Sequence, residues 1–178
     1  MRSALTSFRK QIASEMKGLT LDCGTGEGVY LPYLKGRVII LDIDEGALKK
    51  LEGCRVVGDI GCLPFRTEAF DSVWACAIIE HTRENTILEL RRVTKIGGQI
   101  AVLTPNKYSL IHLLLRAWGH PGWWGDEGHE RLYSYTDLKR YGKLQGEVWR
   151  FPFIDRIVRR IPALGHTIML LMGNNHHN

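Results

Sequence analysis

The chain has 178 residues, of which 44% are hydrophobic and 24% are charged. Both fractions are ordinary for a globular protein and disfavour an intrinsically disordered chain. The 24 basic and 19 acidic residues leave a net charge of +5, too small and too dispersed for a histone-like nucleic-acid binder. We expect a single domain over residues 1–178.

Targeting signals and metal motifs are missing from the sequence pattern. Apolar runs such as residues 110–115 and 167–172 are shorter than the roughly 20 residues that span a bilayer. Charged residues interrupt positions 1–17, so no signal peptide is predicted. The four cysteines lack zinc-ligand spacing and are interpreted as reduced, mostly buried thiols: Cys23, Cys54, Cys62 and Cys76. We therefore expect a soluble, cytoplasmic protein without a bound metal.

The first half of the chain alternates strand and helix patterns. Apolar residues at three- and four-residue steps predict a helix over residues 5–16. Asp44 is the expected cap of a later helix, and Gly97-Gly98 is the expected end of another. Strands are predicted at 19–23, 37–41, 54–57, 71–77 and 99–103, and helices at 29–34, 46–51 and 83–95. This alternation predicts an α/β fold with a doubly wound, mostly parallel sheet and helices on both faces.

The pattern becomes less regular after Pro105. An amphipathic helix is predicted over residues 108–118, followed by a Gly- and Trp-rich loop over 120–128. The remaining predicted elements are a helix at 136–141, a strand at 147–151, a basic helix at 154–160 and a strand at 167–172. Residues 1–106 are therefore interpreted as a ligand-binding part and residues 107–178 as a lid and tail.

A glycine-rich loop follows the first predicted strand, with the pattern Asp22-x-Gly24-x-Gly26-x-Gly28. Glycines at a strand-to-helix turn let the backbone approach a ligand without a Cβ in the way. The dinucleotide pattern G-x-G-x-x-G would need glycine where Val29 stands, and no Gly-Lys-Ser/Thr sequence follows. The loop therefore indicates a ligand other than a dinucleotide or a P-loop nucleotide.

Three acids stand at the ends of three consecutive predicted strands. Asp22 suits a cationic ammonium group better than a pyrophosphate. Asp42, 20 positions further on, stands where doubly wound folds place an acid against ribose hydroxyls. Asp59 is suited to accept a hydrogen bond from the exocyclic amine of a base. The three acids together predict a nucleoside ligand that carries positive charge.

These motifs resemble those of class I S-adenosylmethionine-dependent methyltransferases. The matching stretches are LDCGTGEG at 21–28, LDID at 41–44, GDI at 58–60, LPF at 63–65, FDSV at 70–73, IEH at 79–81, LRRV at 90–93 and TPN at 104–106. The resemblance covers residues 19–106. Beyond it, GHERLYS at 128–134 is similar to a segment of the small-molecule, ubiquinone-biosynthesis-type branch of the family.

The resemblance implies a cofactor, S-adenosylmethionine, and its product S-adenosylhomocysteine. It also implies a seven-stranded sheet whose last strand is antiparallel. Asp22 and the loop residues Gly24, Thr25, Gly26 and Gly28 would hold the methionine part. The ribose would be bound by Asp42 with Ile43, the adenine by Asp59 with Ile60, and the methionine amine by backbone groups of Cys76 and Ala77.

Methyl transfer from a sulfonium is an in-line displacement, which needs alignment and a dry pocket more than catalytic side chains. Where the acceptor is a hydroxyl or an amine, a base is useful. His81 is the first candidate base, followed by His129 and Glu80. The alternative interpretation of Glu80 and His81 is a helix cap or a surface pair, and that of His129 is an ordered loop.

Three interpretations of the function remain open. The first is a small-molecule methyltransferase whose acceptor is hydrophobic or partly polar, with peripheral membrane contact through Trp123 and Trp124 as an option. The second is an RNA or other nucleic-acid methyltransferase, suggested by Arg156, Arg159 and Arg160; it is disfavoured because the Asn/Asp-Pro-Pro-aromatic motif of base-amine methyltransferases is absent. The third is a cofactor-binding subunit that needs a partner for activity.

Overall fold

The computed structural model describes residues 7–82, 86–109, 117, 130–147, 161, 165 and 167–174. These residues form one sheet and the helices that flank it. The helices are α1 (Ser7–Glu15), α2 (Glu45–Leu48), α3 (Thr86–Val93) and α4 (Tyr135–Leu138), with a 3₁₀ turn at Ile79–His81. The strands are β1 (Leu19–Cys23), β2 (Arg37–Asp42), β3 (Cys54–Val57), β4 (Phe70–Cys76), β5 (Thr94–Pro105), β6 (Lys143–Glu147) and β7 (Thr167–Gly173).

The seven strands lie in the order β3-β2-β1-β4-β5-β7-β6. β1 to β5 pair in parallel, whereas β7 runs antiparallel to both β5 and β6. The predicted fold class is therefore confirmed, including the antiparallel last strand. The strand order changes direction between β1 and β4, and the carboxyl edge at such a point is where open α/β sheets bind ligands.

Both faces of the sheet are buried. Along β4, Val73 and Ala75 pack on one face while Trp74, between them, packs on the other, since successive strand side chains alternate. The first face carries Leu90 of α3 and Leu138 of α4, and the second carries α1 together with Tyr30. The predicted helices on both faces are thus present in the described part of the chain.

The helix predicted over residues 29–34 is wrong, because this segment is a series of turns. The Leu31 N–H donates to Gly28 O at 3.1 Å, and the Tyr33 N–H donates to Tyr30 O at 2.8 Å. Pro32 has no N–H to donate to the carbonyl of Gly28, which prevents continuation as an α-helix.

The helix predicted over residues 83–95 ends at Val93, before Gly97-Gly98, and Thr94 already belongs to β5. The Thr94 hydroxyl donates to Leu90 O at 2.6 Å, which closes the last turn of α3. Gly98 lies within the strand instead, where a Cβ would stand 2.8 Å from Asp71 O. The glycine therefore permits close approach to β4 and does not end the helix.

β6 occupies Lys143–Glu147 and so includes Glu147, the first residue of the strand predicted over 147–151. Residues 148–151 of that prediction lie outside the described residues. β6 is at the edge of the sheet, and an edge strand needs no continuous apolar pattern. The predictions over 108–118, 120–128 and 154–160 concern residues that lie almost wholly outside the described part of the chain.

Across the residues that the structure describes, no helix is long and apolar enough to cross a membrane. Those residues also contain no group of three His, Cys, Asp or Glu side chains arranged to hold a metal ion. All four cysteines are free, but Cys54 and Cys62 are exposed. Cys23 is buried and Cys76 is half-buried, so the prediction of mostly buried thiols is wrong.

Candidate active site

The glycine loop folds back against the end of β2. The N–H groups of Gly24 and Thr25 both donate to Leu41 O, at 2.8 and 3.3 Å. Gly24 has a φ of 67°, and a Cβ added there would lie 2.5 Å from Ile78 Cγ1. Glycine is required at position 24 on both counts.

Asp42 accepts hydrogen bonds from three loops at the carboxyl edge of the sheet. Its Oδ2 accepts the Gly26 N–H at 2.9 Å, and its Oδ1 accepts the Asp44 N–H at 3.0 Å. Its backbone carbonyl accepts the Gly58 N–H at 3.0 Å. The Asp42 carboxylate therefore holds the glycine loop in place and keeps lone pairs for further donors.

The third acid lies on a tight turn after β3. Asp59 Oδ1 accepts the Gly61 N–H at 2.7 Å, and its backbone carbonyl accepts the Cys62 N–H at 3.1 Å. Ile60, the next residue, is buried, whereas Ile43 after β2 is 72% exposed. This region thus combines a carboxylate with an uncovered aliphatic surface.

A cleft of about 500 Å³ lies among these loops. Six of the predicted site residues line it: Gly24, Asp42, Ile43, Asp59, Ile60 and His81. Six others do not line it: Asp22, Thr25, Gly26, Gly28, Cys76 and Ala77. His129 lies outside the described residues. The nucleoside half of the predicted site is therefore brought together in one cleft.

Asp22 is almost fully buried at the end of β1, next to the glycine loop. Burial raises the pKa of its carboxyl to about 7; the Thr25 side chain lowers it, and the charge of Asp42 adds to the increase. Such a carboxyl gives up its proton readily when a cation is placed beside it.

Two of the loop residues have structural roles in the absence of a ligand. The Thr25 hydroxyl donates to Asp22 O at 3.0 Å. Gly28 has a φ of 70°, and a Cβ there would lie 2.7 Å from a methyl carbon of Leu51. Both contacts shape the turn that carries the loop away from β1.

The end of β4 is strained. Ala77 has a φ of 55°, a left-handed conformation that a residue with a Cβ seldom adopts and that often marks a functional position. Its N–H donates to Leu103 O at 2.9 Å and is therefore already used. A ligand amine is itself a donor, so backbone carbonyl groups are the acceptors that it would need here. Desolvation raises the pKa of the neighbouring Cys76 thiol to about 11, which keeps it protonated.

His81 and Glu80 occupy different environments although they are adjacent. His81 is exposed and lines the cleft. Glu80 is 1% exposed, its Oε2 accepts the Thr104 hydroxyl at 3.0 Å, and burial raises its pKa to about 7. Of the two, His81 has the access that a base at this cleft requires.

Several cleft residues were not predicted from the sequence: Leu41, Gly58, Gly61, Cys62, Ile78, Thr82 and Glu130. Gly58, Gly61 and Cys62 flank the predicted Asp59 and Ile60, so proximity in the chain would have found them. Thr82 follows the predicted His81 and Glu130 follows the predicted His129, so proximity in the chain would have found these as well. The Arg131 N–H donates to Glu80 O at 3.0 Å, a tertiary contact that no sequence pattern marks.

Comparison with protein families finds one model that matches, described as a methyltransferase domain, over residues 21–102. The matched segment extends from β1 into β5 and contains all three strand-end acids. It therefore covers most of the residues that form the cleft.

Three curated proteins are similar to parts of the chain. An uncharacterised protein of Methanocaldococcus jannaschii is 36% identical over 106 residues, 57% of this chain and 47% of the relative. Malonyl-[acyl-carrier protein] O-methyltransferase of Erwinia pyrifoliae is 33% identical over 100 residues, 51% of this chain and 38% of the relative. A Bos taurus protein named probable tRNA methyltransferase 9B is 31% identical over 156 residues, 71% of this chain and 34% of the relative. The chain thus spans less than half the length of each of these relatives.

Solved structures share the fold. A chain of the complex between the Haloferax volcanii Trm112 methyltransferase activator and a methyltransferase superimposes with a TM-score of 0.67 at 18% identity, over 96% of this chain and 89% of that one. A SAM-dependent methyltransferase from Archaeoglobus fulgidus gives 0.64 at 18% identity, over 92% and 89%. Residues 21–102 are thus similar to a methyltransferase domain, and the fold shared with a solved SAM-dependent methyltransferase supports S-adenosylmethionine as the cofactor.

Proposed function

We propose that this chain binds S-adenosylmethionine in the cleft at the carboxyl edge of β1, β2 and β3 and transfers its methyl group to a small-molecule acceptor. The observation that carries the proposal is the convergence of Gly24, Asp42 and Asp59 on one cleft of about 500 Å³. Three different segments of the chain supply these residues, which a purely structural turn would not require.

The chemistry of the cleft suits the adenosine part of the cofactor. Asp42 keeps acceptor capacity for ribose hydroxyls beyond its two backbone bonds. Asp59 Oδ2 is suited to accept from an exocyclic amine. The exposed Ile43 and the buried Ile60 offer aliphatic surface to a purine, and burying apolar area of this kind stabilises a complex by about 25 cal/mol per Å².

Asp22 supplies the complementary charge for the methionine part. When bound, the cofactor supplies a methyl group activated on a positively charged sulfur. The ionised Asp22 carboxyl would stabilise a nearby ammonium group through its charge, and backbone groups of Cys76 and Ala77 are the further partners that we propose for it. His81, at the cleft wall, is placed to hold a proton released from a hydroxyl or amine acceptor.

A small-molecule acceptor is favoured by two features. The end of β4 reads Ala75-Cys76-Ala77-Ile78, which lacks the side chains that base-amine methyltransferases use. The relative named malonyl-[acyl-carrier protein] O-methyltransferase, 33% identical over 100 residues, is named for an acyl acceptor and not for a nucleic acid.

RNA is the second candidate acceptor. It is favoured by the relative named probable tRNA methyltransferase 9B, whose alignment covers 71% of this chain. The structural neighbour in complex with a methyltransferase activator favours the related option that a partner subunit is needed for activity. Residues 107–178, which we propose as the acceptor side, would decide between these options.

The first test of the proposal is calorimetric titration of the chain with S-adenosylmethionine and S-adenosylhomocysteine. We expect saturable binding that Asp42→Ala weakens by at least tenfold, because the variant loses both the ribose acceptor and the anchor of Gly26. Asp44→Ala is the matched control, since Asp44 caps α2 by accepting from Gly46 and Ala47 at 2.7 and 3.2 Å and lies outside the cleft lining.

Two outcomes would contradict the proposal. One is absence of cofactor binding by the wild-type chain with and without a candidate activator. The other is equal loss of affinity in Asp42→Ala and Asp44→Ala, which would reduce Asp42 to a structural role. The melting temperatures of both variants show whether a loss of affinity comes from unfolding of the chain or from loss of the binding site.

The role of His81 is tested once an acceptor is identified. His81→Ala is expected to lower kcat for a hydroxyl or amine acceptor by about 10²-fold and to leave cofactor affinity within twofold. Unchanged turnover would remove His81 from the reaction.

We also propose a cytoplasmic location. Four free cysteines, two of them exposed, are typical of a chain kept in a reducing compartment.

A further inference from the structure

The loop after β3 forms one side of the cofactor cleft and extends beyond it. Residues 58–62 all line the cleft. The next three residues, the LPF motif at 63–65, follow directly in the chain but are not part of the cleft lining. The proposed function assigns no role to this motif or to the LRRV motif at 90–93, which ends α3.

One pair of side chains on α3 binds the backbone of the LPF motif. Glu89 Oε2 accepts the Leu63 N–H at 2.9 Å. Arg92 donates from Nη2 to Leu63 O at 3.0 Å and from Nη1 to Phe65 O at 2.8 Å. The two side chains therefore satisfy both backbone groups of Leu63, as a neighbouring strand would.

Glu89 and Arg92 also bind each other. Arg92 Nε donates to Glu89 Oε1 at 2.7 Å, and Arg92 Nη2 donates to Glu89 Oε2 at 2.8 Å. Each guanidinium nitrogen therefore has a partner, either in the carboxylate or in a carbonyl group of the loop. The pair is only partly exposed, at 34% for Arg92 and 20% for Glu89. A planar guanidinium group is suited to several acceptors at once, whereas a lysine ammonium is a point charge.

The LPF motif is in contact with the residues that line the cleft. A Cβ added at Gly58 would lie 3.2 Å from the Pro64 ring, so the two ends of the loop lie against each other. Ile60 and Leu63 are both buried and belong to the same hydrophobic cluster as Leu90 of α3. Displacement of the motif from α3 is therefore expected to displace the cleft residues as well.

We propose that Arg92, together with Glu89, is a positioning residue for the cofactor, because the pair fixes the loop that presents Asp59 and Ile60 to the adenine. The inference rests on the proposed function, since it explains how one side of that site is held. Neither Glu89 nor Arg92 is among the residues that line the cleft. The pair therefore acts through the loop backbone and not by contact with the ligand.

Calorimetric titration of the full chain with S-adenosylhomocysteine tests the proposal. We expect Arg92→Gln to weaken binding by about tenfold, because the loop loses two of its bonds to α3. Arg92→Lys should weaken binding by at least about fivefold, because lysine keeps the charge but cannot bind Glu89 and two carbonyl groups together.

Lys95→Gln is the matched control. Lys95 Nζ donates to Asp71 Oδ1 at 2.7 Å, and Asp71 Oδ2 accepts the Leu19 N–H at 2.8 Å. This pair also binds the backbone of another segment, but it lies near the starts of β1, β4 and β5, at the opposite edge of the sheet from the cleft. Lys95→Gln should therefore change cofactor affinity by less than about twofold.

A double-mutant cycle distinguishes positioning from a general effect on stability. Asp59→Ala removes a group that Arg92 is proposed to position, so in that background Arg92→Gln should weaken binding by less than about threefold. In the Asp22→Asn background, on the methionine side, Arg92→Gln should keep its full effect of about tenfold. A residue that only stabilises the fold would give the same factor in both backgrounds.

All titrations are made below the melting temperature of each variant, and Arg92→Lys replaces Arg92→Gln in the cycle where the latter does not fold. Three results would overturn the inference: wild-type affinity in Arg92→Lys, equal losses in the Arg92 and Lys95 variants, or equal factors in the two backgrounds. A wild-type chain that does not bind S-adenosylhomocysteine would overturn the proposed function, and this inference with it.

Discussion

An exposed isoleucine beside a ligand cleft is unfavourable for the free chain, and Ile43 is 72% exposed. We predict that Ile43→Ala weakens S-adenosylhomocysteine binding by about three- to tenfold, because it removes aliphatic area that the purine would cover. Unfolding free energy should change by less than about 0.5 kcal/mol, as for other surface substitutions.

Ile96→Ala is the matched control for that prediction. Ile96 is 60% exposed but stands near the start of β5, at the opposite edge of the sheet from the cleft. Cofactor affinity that falls equally in both variants, or in neither, would show that Ile43 does not contact the ligand.

The Asp22 carboxyl is expected to make cofactor binding depend on pH. Burial raises its pKa to about 7, so at pH 5.5 the free chain holds a neutral acid where the ligand brings a cation. Binding should therefore tighten as pH rises from about 5.5 to 7.5 and release protons from the protein. In Asp22→Asn the affinity should be weaker and nearly flat over this range. Calorimetry in buffers of different ionisation enthalpy measures the proton release; a wild-type profile as flat as that of the variant would contradict the assignment.

At the scale of elements, two glycines of the loop after β1 differ in the space around them. A Cβ at Gly24 would lie 2.5 Å from Ile78, whereas one at Gly26 meets nothing within 4 Å. We predict that Gly24→Ala lowers the unfolding free energy by about 2–3 kcal/mol, because contact and backbone strain add. Gly26→Ala, at a φ of 52°, should cost about 1 kcal/mol.

The same two variants distinguish an effect on folding from an effect on cofactor binding. Gly26→Ala is expected to lose cofactor affinity by at least fivefold despite its small effect on stability, because the loop that contains Gly26 is proposed to hold the methionine part of the cofactor. Urea denaturation and calorimetry on both variants test this. Full affinity in Gly26→Ala would mean that the loop backbone does not approach the cofactor.

The position of a strand in the sheet explains how well the sequence predicted it. β1 to β4 are central or carry strand-end motifs, so apolar runs marked them to within a residue or two. β6 is an edge strand with the sequence Lys143-Leu144-Gln145-Gly146-Glu147, which has no apolar alternation. The segment at 29–34 lies between two strands and has room for a short helix, but Pro32 removes the hydrogen bond that a helix needs there.

At the scale of the whole molecule, the acids of the site were predictable because parallel strands bring their carboxyl ends to one edge. Asp42 and Asp59 therefore lie in one cleft although 17 positions apart in the sequence. The packing of residues 130–141 beside the cleft was not predictable, since it depends on contacts between segments far apart in the sequence. That packing is set by tertiary contacts such as Asn106 with Tyr133.

The two buried carboxyls give the whole molecule a pH-dependent stability. Burial raises the pKa of Asp22 and of Glu80 to about 7, above their unfolded values of 3.8 and 4.5. At pH values between the unfolded and the folded pKa, the folded chain binds more protons than the unfolded chain. The two carboxyls therefore contribute stability at low pH, and this contribution is lost as pH rises through about 7.

We therefore predict that the cofactor-free chain has a lower unfolding free energy at pH 8.5 than at pH 5.5, with each carboxyl contributing about 2 kcal/mol to the difference. Asp22→Asn with Glu80→Gln should remove most of that difference and leave the doubly substituted chain more stable than wild type at pH 8.5. Urea denaturation at both pH values measures it. A wild-type difference that persists in the double variant would place the titrating groups elsewhere, and the alkaline instability would then be unrelated to the cofactor site.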